Sequence, residues 1–75
     1  MTRNGTELLR NRVKVGRAER DLSQEELARA AGVSRQTISS IETGQYTPSA
    51  LLAFRIARVL GMPIDRLFWL EGGTP

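Results

Sequence analysis

Apolar residues recur along the chain at the spacing of one helix face, not in the alternation typical of a strand. Leu9, Val13 and Arg17 follow one another at intervals of four, which predicts a first helix over Glu7–Arg20. Four more segments with helical spacing follow, and no alternating run is long enough to predict a strand. The pattern therefore predicts an all-α fold, a compact bundle of five helices.

Capping residues mark the second and third predicted helices. Ser23 is followed three residues later by Glu26, the spacing of a capping box that opens a helix. Gly32 stands where a helix end favours a left-handed residue, and Ser34 is the next N-cap. Only a few residues therefore separate this helix from the third, which is predicted to run to about Thr43.

The fourth and fifth predicted helices are marked by prolines and a glycine. Thr47 before Pro48 predicts a helix start, because proline is favoured at the first helical position. This helix is apolar over much of its circumference and is placed at the centre of the core. Gly61 ends it, and Pro63 opens a short fifth helix through Phe68. We expect one domain over residues 7–70, between flexible segments at 1–6 and 71–75.

Composition excludes several classes of protein. The chain has 75 residues and contains neither cysteine nor histidine, which removes disulfides, zinc fingers, imidazole-based metal sites and imidazole bases. No constellation for catalysis, a metal or a cofactor is visible, so we expect a protein that is not an enzyme. Residues 1–10 lack an apolar run, and no segment approaches the ~20 apolar residues of a membrane span. A cytoplasmic protein is expected.

Arginine dominates the basic residues. The net charge is +3, and ten of the eleven basic residues are arginine, Lys14 being the exception. The forked guanidinium group suits phosphates and base edges. A GC-rich genome would produce the same bias, so the charge leaves both interpretations open.

The most specific pattern surrounds the short connection between the second and third predicted helices. Two helices joined by so few residues, with glycine in the turn, cross steeply. Counted from Gln24 as the first position, small or apolar residues occupy positions 4, 5, 8, 9, 10, 15 and 18, namely Leu27, Ala28, Ala31, Gly32, Val33, Ile38 and Ile41. An ordinary corner of two helices needs the glycine and some apolar residues, but not this whole set.

Residues 10 to 70 resemble the Cro/C1-type helix-turn-helix family of phage and bacterial repressors, also called the XRE family. The stretch LSQEELARAAGVSRQTISSIETGQYTPS, Leu22–Ser49, carries most of the resemblance, together with LLAFRIARVLG and IDRLF. The resemblance implies a lambda-repressor-like bundle that binds double-stranded DNA as a homodimer and regulates transcription as a repressor. It implies no cofactor and no small-molecule ligand.

The resemblance also implies residue roles, with the third helix in the major groove. Arg35 would donate to a guanine and Gln36 would pair with an adenine. The other interpretation of both is a solvated helix surface. Base contacts are expected from Arg35, Gln36, Thr37 and Ser40, and phosphate contacts from Gln24, Ser34, Thr43, Gln45 and Tyr46.

Arg17 and Glu42 match a family pair that forms a partly buried salt bridge, so we expect a structural role for them. Gln45 stands where relatives often carry lysine, which makes the phosphate contacts less cationic. Arg10 or Arg17 are the candidates to compensate.

Two further positions depart from the family pattern. Gly16 stands where relatives have a large apolar residue, so Val15 is a candidate to turn inward and fill the space. Pro63 replaces a common serine or threonine cap before the fifth helix.

The C-terminal segment offers two structures and two functions. The segment either folds onto its own core or forms a dimer interface. We expect the dimer interface, made by Leu67, Phe68, Trp69 and Leu70. A two-fold dimer would place two reading helices about 34 Å apart, one turn of DNA. The alternative function is an antitoxin-like or anti-repressor module whose main partner is another protein.

Overall fold

Five helices and two short strands make up the computed structural model, which describes residues 7–72. The predicted flexible residues at 1–6 and 73–75 lie outside this range. In chain order the elements are β1 Leu8–Asn11, α1 Val13–Glu19, α2 Gln24–Ala31, α3 Arg35–Glu42, α4 Ala50–Leu60, α5 Ile64–Leu67 and β2 Phe68–Glu71.

The strands correct two sequence predictions. Five helices are confirmed, but the first half of the predicted first helix is β1, so the fold is not purely α-helical. β1 pairs antiparallel with β2, with Leu9 opposite Leu70 and Asn11 opposite Phe68. Glu71, assigned to the tail from the sequence, is the last residue of β2. The pairing joins the two ends of the domain, so no local periodicity reports it, and tertiary context overrides local preference.

The ends of α2 follow the predicted capping pattern. The Ser23 hydroxyl accepts a hydrogen bond from the Glu26 amide at 3.0 Å, and the Ser23 amide donates to the Glu26 carboxylate at 2.8 Å. The hydrogen bond that the Ser23 amide donates to this carboxylate lowers the pKa of Glu26 below its ordinary value, because it favours the charged form. Gly32 ends the helix with a φ of 79°.

The start of α4 is two residues later than predicted. Ser49, not Thr47, is the N-cap, and its hydroxyl accepts from the Leu52 amide at 3.1 Å. Pro48 therefore precedes the cap. Thr47 and Ser49 flank the proline and either hydroxyl suits an N-cap, so the local sequence allows both starts.

The packing around Gly16 explains the missing apolar side chain. Gly16 is buried, and a Cβ there would lie 2.8 Å from the Met62 sulfur and 3.1 Å from Leu60. Val15 stays exposed and does not turn inward. The space is thus filled from α4 and the residues after it. The core contains Val13, Leu27, Ala28, Ala31, Ile38, Ile41, Leu52, Ile56, Ala57, Leu60, Leu67 and Phe68.

The end of α1 offers a stabilising substitution. Asp21 has a φ of 56°, and the Leu22 amide donates back to the Arg17 carbonyl at 3.0 Å, a helix end that glycine normally occupies. Asp21→Gly is expected to raise the free energy of unfolding by about 0.5–1 kcal/mol, because a Cβ is unfavourable in this conformation. Urea unfolding at neutral pH measures the change. Asp21→Ala removes the carboxylate but keeps the Cβ, and an equal gain in that variant would contradict the explanation.

Candidate nucleic-acid interface

The corner between α2 and α3 is built as the spacing predicts. The Val33 amide donates to the Ala28 carbonyl at 2.9 Å across the turn, where Gly32 has a positive φ. Ile38 and Ile41 are buried and fasten α3 to the core. The opposite side of α3 is therefore directed away from the bundle.

The first two turns of α3 carry the predicted base-reading residues. Arg35 and Gln36 are exposed, and Thr37 and Ser40 are partly exposed. The Gln36 amide donates to the Ser40 hydroxyl at 3.3 Å. Among the contacts within residues 7–72, none engages the Arg35 guanidinium group, so its donors face solvent.

Ser34 has a hydroxyl that is already engaged in capping. It accepts from the Thr37 amide at 3.1 Å and shares a hydrogen bond of 3.0 Å with the Thr37 hydroxyl. A hydroxyl has one donor and two acceptor positions. A contact of Ser34 with a phosphate therefore competes with the bond between these two hydroxyls.

The predicted ion pair between Arg17 and Glu42 is confirmed. Arg17 donates from Nε to one carboxylate oxygen at 2.8 Å and from Nη2 to the other at 3.3 Å. The side chains are only 16% and 6% exposed, and Arg17 also donates to the Leu22 carbonyl at 2.9 Å. The pair fixes the end of α3 against α1.

Gln24 joins this pair, a contact that sequence reasoning missed. Its side-chain amide donates to a Glu42 oxygen at 3.0 Å. The two residues are far apart in sequence, and no spacing rule links them. Gln24 and Arg17 line one shallow cavity with Ser23, Glu25 and Arg35. Gln24, which is predicted to bind a phosphate, is thus held in place beside Arg35 on the first turn of α3.

The residues after α3 are tied to the last turns of that helix by hydrogen bonds. The Thr43 hydroxyl donates to the carbonyl groups of Ser39 and Ser40 at 3.2 and 3.3 Å, and the Gln45 amide donates to Ser40 at 2.8 Å. Thr43, Gln45 and Tyr46 are all exposed. Their main chain closes the helix, and their side chains are accessible.

Both arginines that were candidates to compensate for the missing lysine form ion pairs. Arg10 pairs with Glu71 at 3.2 Å across the sheet, and Arg17 is bound to Glu42. Arg17 is therefore committed to its buried ion pair, whereas Arg10 lies in an exposed pair, and its compensation for the missing lysine stays a prediction.

The C-terminal segment divides between core and surface. Leu67 and Phe68 are buried in the core of the single chain, so they do not offer the dimer surface that the sequence suggested. Trp69 is partly buried, with the Arg12 guanidinium carbon 4.9 Å from the centre of its ring. Leu70 is 62% exposed. Only the last two residues of the predicted interface remain accessible.

Asn11 is a second residue that sequence reasoning missed. Its side chain accepts from the Val13 amide at 3.1 Å and donates to the Ile41 carbonyl at 3.0 Å. It therefore ties β1 and the start of α1 to the end of α3. Its place within the predicted first helix concealed this role.

The chain is similar to helix-turn-helix transcriptional regulators. Residues 13–67 match the family model described as helix-turn-helix. The uncharacterized HTH-type transcriptional regulator YgzD of Bacillus subtilis is 46% identical over 63 residues, which cover 84% of this chain and 96% of that protein. A similarly described regulator of Methanocaldococcus jannaschii is 49% identical over 63 residues, with the same coverage of both chains.

A phage repressor and a solved structure extend the comparison. The cryptic phage CTXphi transcriptional repressor RstR of Vibrio cholerae is 39% identical over 51 residues, covering 68% of this chain and 46% of that protein. The restriction-modification controller protein C.AhdI from Aeromonas hydrophila is similar in structure, with a TM-score of 0.70 and 30% identity. The match covers 75% of this chain and 85% of that one. None of the helices within residues 7–72 combines the length and apolar character that a membrane span requires.

Proposed function

This chain belongs to the Cro/C1-type helix-turn-helix family and is a DNA-binding transcriptional regulator, and we propose that it is a repressor that reads a double-stranded operator as a homodimer. α3 enters the major groove with its first turn against base edges. Arg35 and Gln36 select bases, and Gln24 holds a phosphate.

The observation that carries this proposal is the unpartnered guanidinium group of Arg35 on the first turn of a helix that is fastened from behind. Ile38 and Ile41 are buried, so α3 is presented as a rigid element. A bidentate donor on such an element discriminates guanine by about 1–3 kcal/mol. The restrained amide of Gln24 lies beside it and supplies a contact without sequence preference.

Repression and dimerisation rest on separate support. The relative RstR is a repressor, and a protein seated in the major groove of a promoter blocks access to it. For the dimer, the sheet exposes Leu70, next to a half-buried Trp69. A second copy across this surface would bury an apolar side chain from each protomer.

Selection from random duplexes followed by fluorescence anisotropy tests the function. We expect enrichment of a palindromic sequence, and an affinity that falls steeply with salt because bound phosphates release counterions. Sedimentation with the selected duplex is expected to give two protomers for each site. Failure to enrich any sequence would refute the proposal, while enrichment of an asymmetric site bound by one protomer would refute the dimer alone.

A further inference from the structure

An exposed apolar pair lies on the outer face of α4, away from the core. Leu51 and Phe54 are 63% and 59% exposed, whereas Leu52 and Ile56 on the inner face are buried. Residues three apart on a helix are neighbours, so Leu51 and Phe54 form one contiguous patch. Neither side chain belongs to the core or to the proposed DNA contacts of α3 and Gln24.

Arginines complete this patch. Arg55 and Arg58 follow Leu51 at intervals of four and seven, so they share its face of the helix, and all four side chains line one shallow groove. No carboxylate lines this groove, and the ion pairs formed within residues 7–72 include neither arginine. The groove thus combines exposed apolar surface with two uncompensated positive charges.

We propose that this α4 groove, lined by Leu51, Phe54, Arg55 and Arg58, binds an acidic amphipathic helix of a protein partner. The leucine and the phenylalanine would receive the apolar stripe of the partner. Carboxylates beside that stripe would pair with Arg55 and Arg58, which gives the groove its preference through charge complementarity.

The same two arginines disfavour two other occupants of the groove, a second copy of this chain and DNA. A symmetric contact with a second copy would bring together the arginines of both protomers without a carboxylate in the groove, and like charges repel. A DNA backbone would neutralise the arginines but leave Leu51 and Phe54 against phosphates, where apolar surface gains little. An occupant that is both apolar and acidic satisfies every residue of the groove.

Binding of two designed peptides to the full chain tests this proposal. The acidic probe is a fluorescein-labelled helical peptide of about 18 residues, or about five turns, with a leucine stripe flanked by glutamates. The control peptide has lysines in place of the glutamates. We expect fluorescence anisotropy to show saturable binding of the acidic peptide, weakened about tenfold by Phe54→Ser and about tenfold by Arg55→Glu with Arg58→Glu.

Matched variants distinguish specific peptide binding in the groove from nonspecific binding to exposed apolar surface. The charge-reversed double variant is expected to prefer the lysine peptide, which a nonspecific apolar surface would not do. Leu8→Ser, which removes a comparably exposed leucine from β1, is expected to leave peptide binding unchanged. Because all substituted side chains are exposed, circular dichroism is expected to show an unchanged fold.

Three results would overturn the proposal. One is equal binding of the acidic and lysine peptides by the unaltered chain, or binding of neither. Another is sedimentation that shows a dimer for the unaltered chain and a monomer for Phe54→Ser, which would make the groove an interface between copies. The third is a loss of DNA affinity with a reduced salt slope in Arg55→Ala, which would assign that residue to the DNA backbone.

Discussion

Glu42→Ala is expected to lower the free energy of unfolding by about 3–5 kcal/mol, because it leaves Arg17 largely buried without its carboxylate. The loss also removes the acceptor of the Gln24 amide. Small domains are stable by only about 5–15 kcal/mol, so this single change removes a large part of the total. Urea unfolding followed by circular dichroism measures it.

Two further variants separate the charge from the packing. Glu42→Gln keeps the size and one acceptor oxygen, so we expect an intermediate loss. Arg17→Met combined with Glu42→Leu removes both charges and is expected to recover much of the stability lost in Glu42→Ala. If Glu42→Ala costs less than about 1 kcal/mol, the pair behaves as an exposed surface bridge and its assigned role is wrong.

Arg35→Ala is expected to abolish the preference for guanine at one operator position, a loss of discrimination of about 1–3 kcal/mol, or roughly 5- to 150-fold. The reason is that Arg35 has no partner within the described residues and stands on the first turn of α3. Gln24→Ala is expected to weaken binding to all sequences alike, because a phosphate contact carries no sequence information. This prediction depends on the proposed function.

Competition anisotropy with every base at each operator position distinguishes the two roles. Arg29→Ala is the matched control, since Arg29 is an exposed arginine on α2 that pairs with Glu25 at 3.8 Å. We expect this control to bind DNA as the unaltered chain does. If Arg35→Ala instead lowers affinity for all sequences equally and reduces the salt slope by about one, Arg35 is a phosphate ligand.

The elements that could be predicted from sequence are those fixed by residues close together in the chain. Ser23, Gly32 and Ser34 act within one helical turn, so capping rules locate α2, the corner and α3. The exposed side of α3 follows, because the buried Ile38 and Ile41 define its other side. The Arg17–Glu42 pair was expected only through the resemblance to the family.

The features that escaped prediction depend on residues far apart in the chain. β1 and β2 are too short to show a period of their own, and each is a strand only because the other is present. The bond from Gln24 to Glu42 likewise needs the folded corner before its atoms meet. The burial of Leu67 and Phe68 follows from packing against the helices. Local rules contain none of this information.

The sheet has a consequence for synthesis on the ribosome. β1 is translated near the beginning of the domain, but β2, its partner, follows all five helices. A nascent chain therefore carries an unpaired first strand, with open main-chain donors and acceptors, until the last part of the domain emerges. The helices between the strands are able to pack earlier, because most of their contacts are local. Closure of the sheet is thus expected to be the final step of folding in the cell.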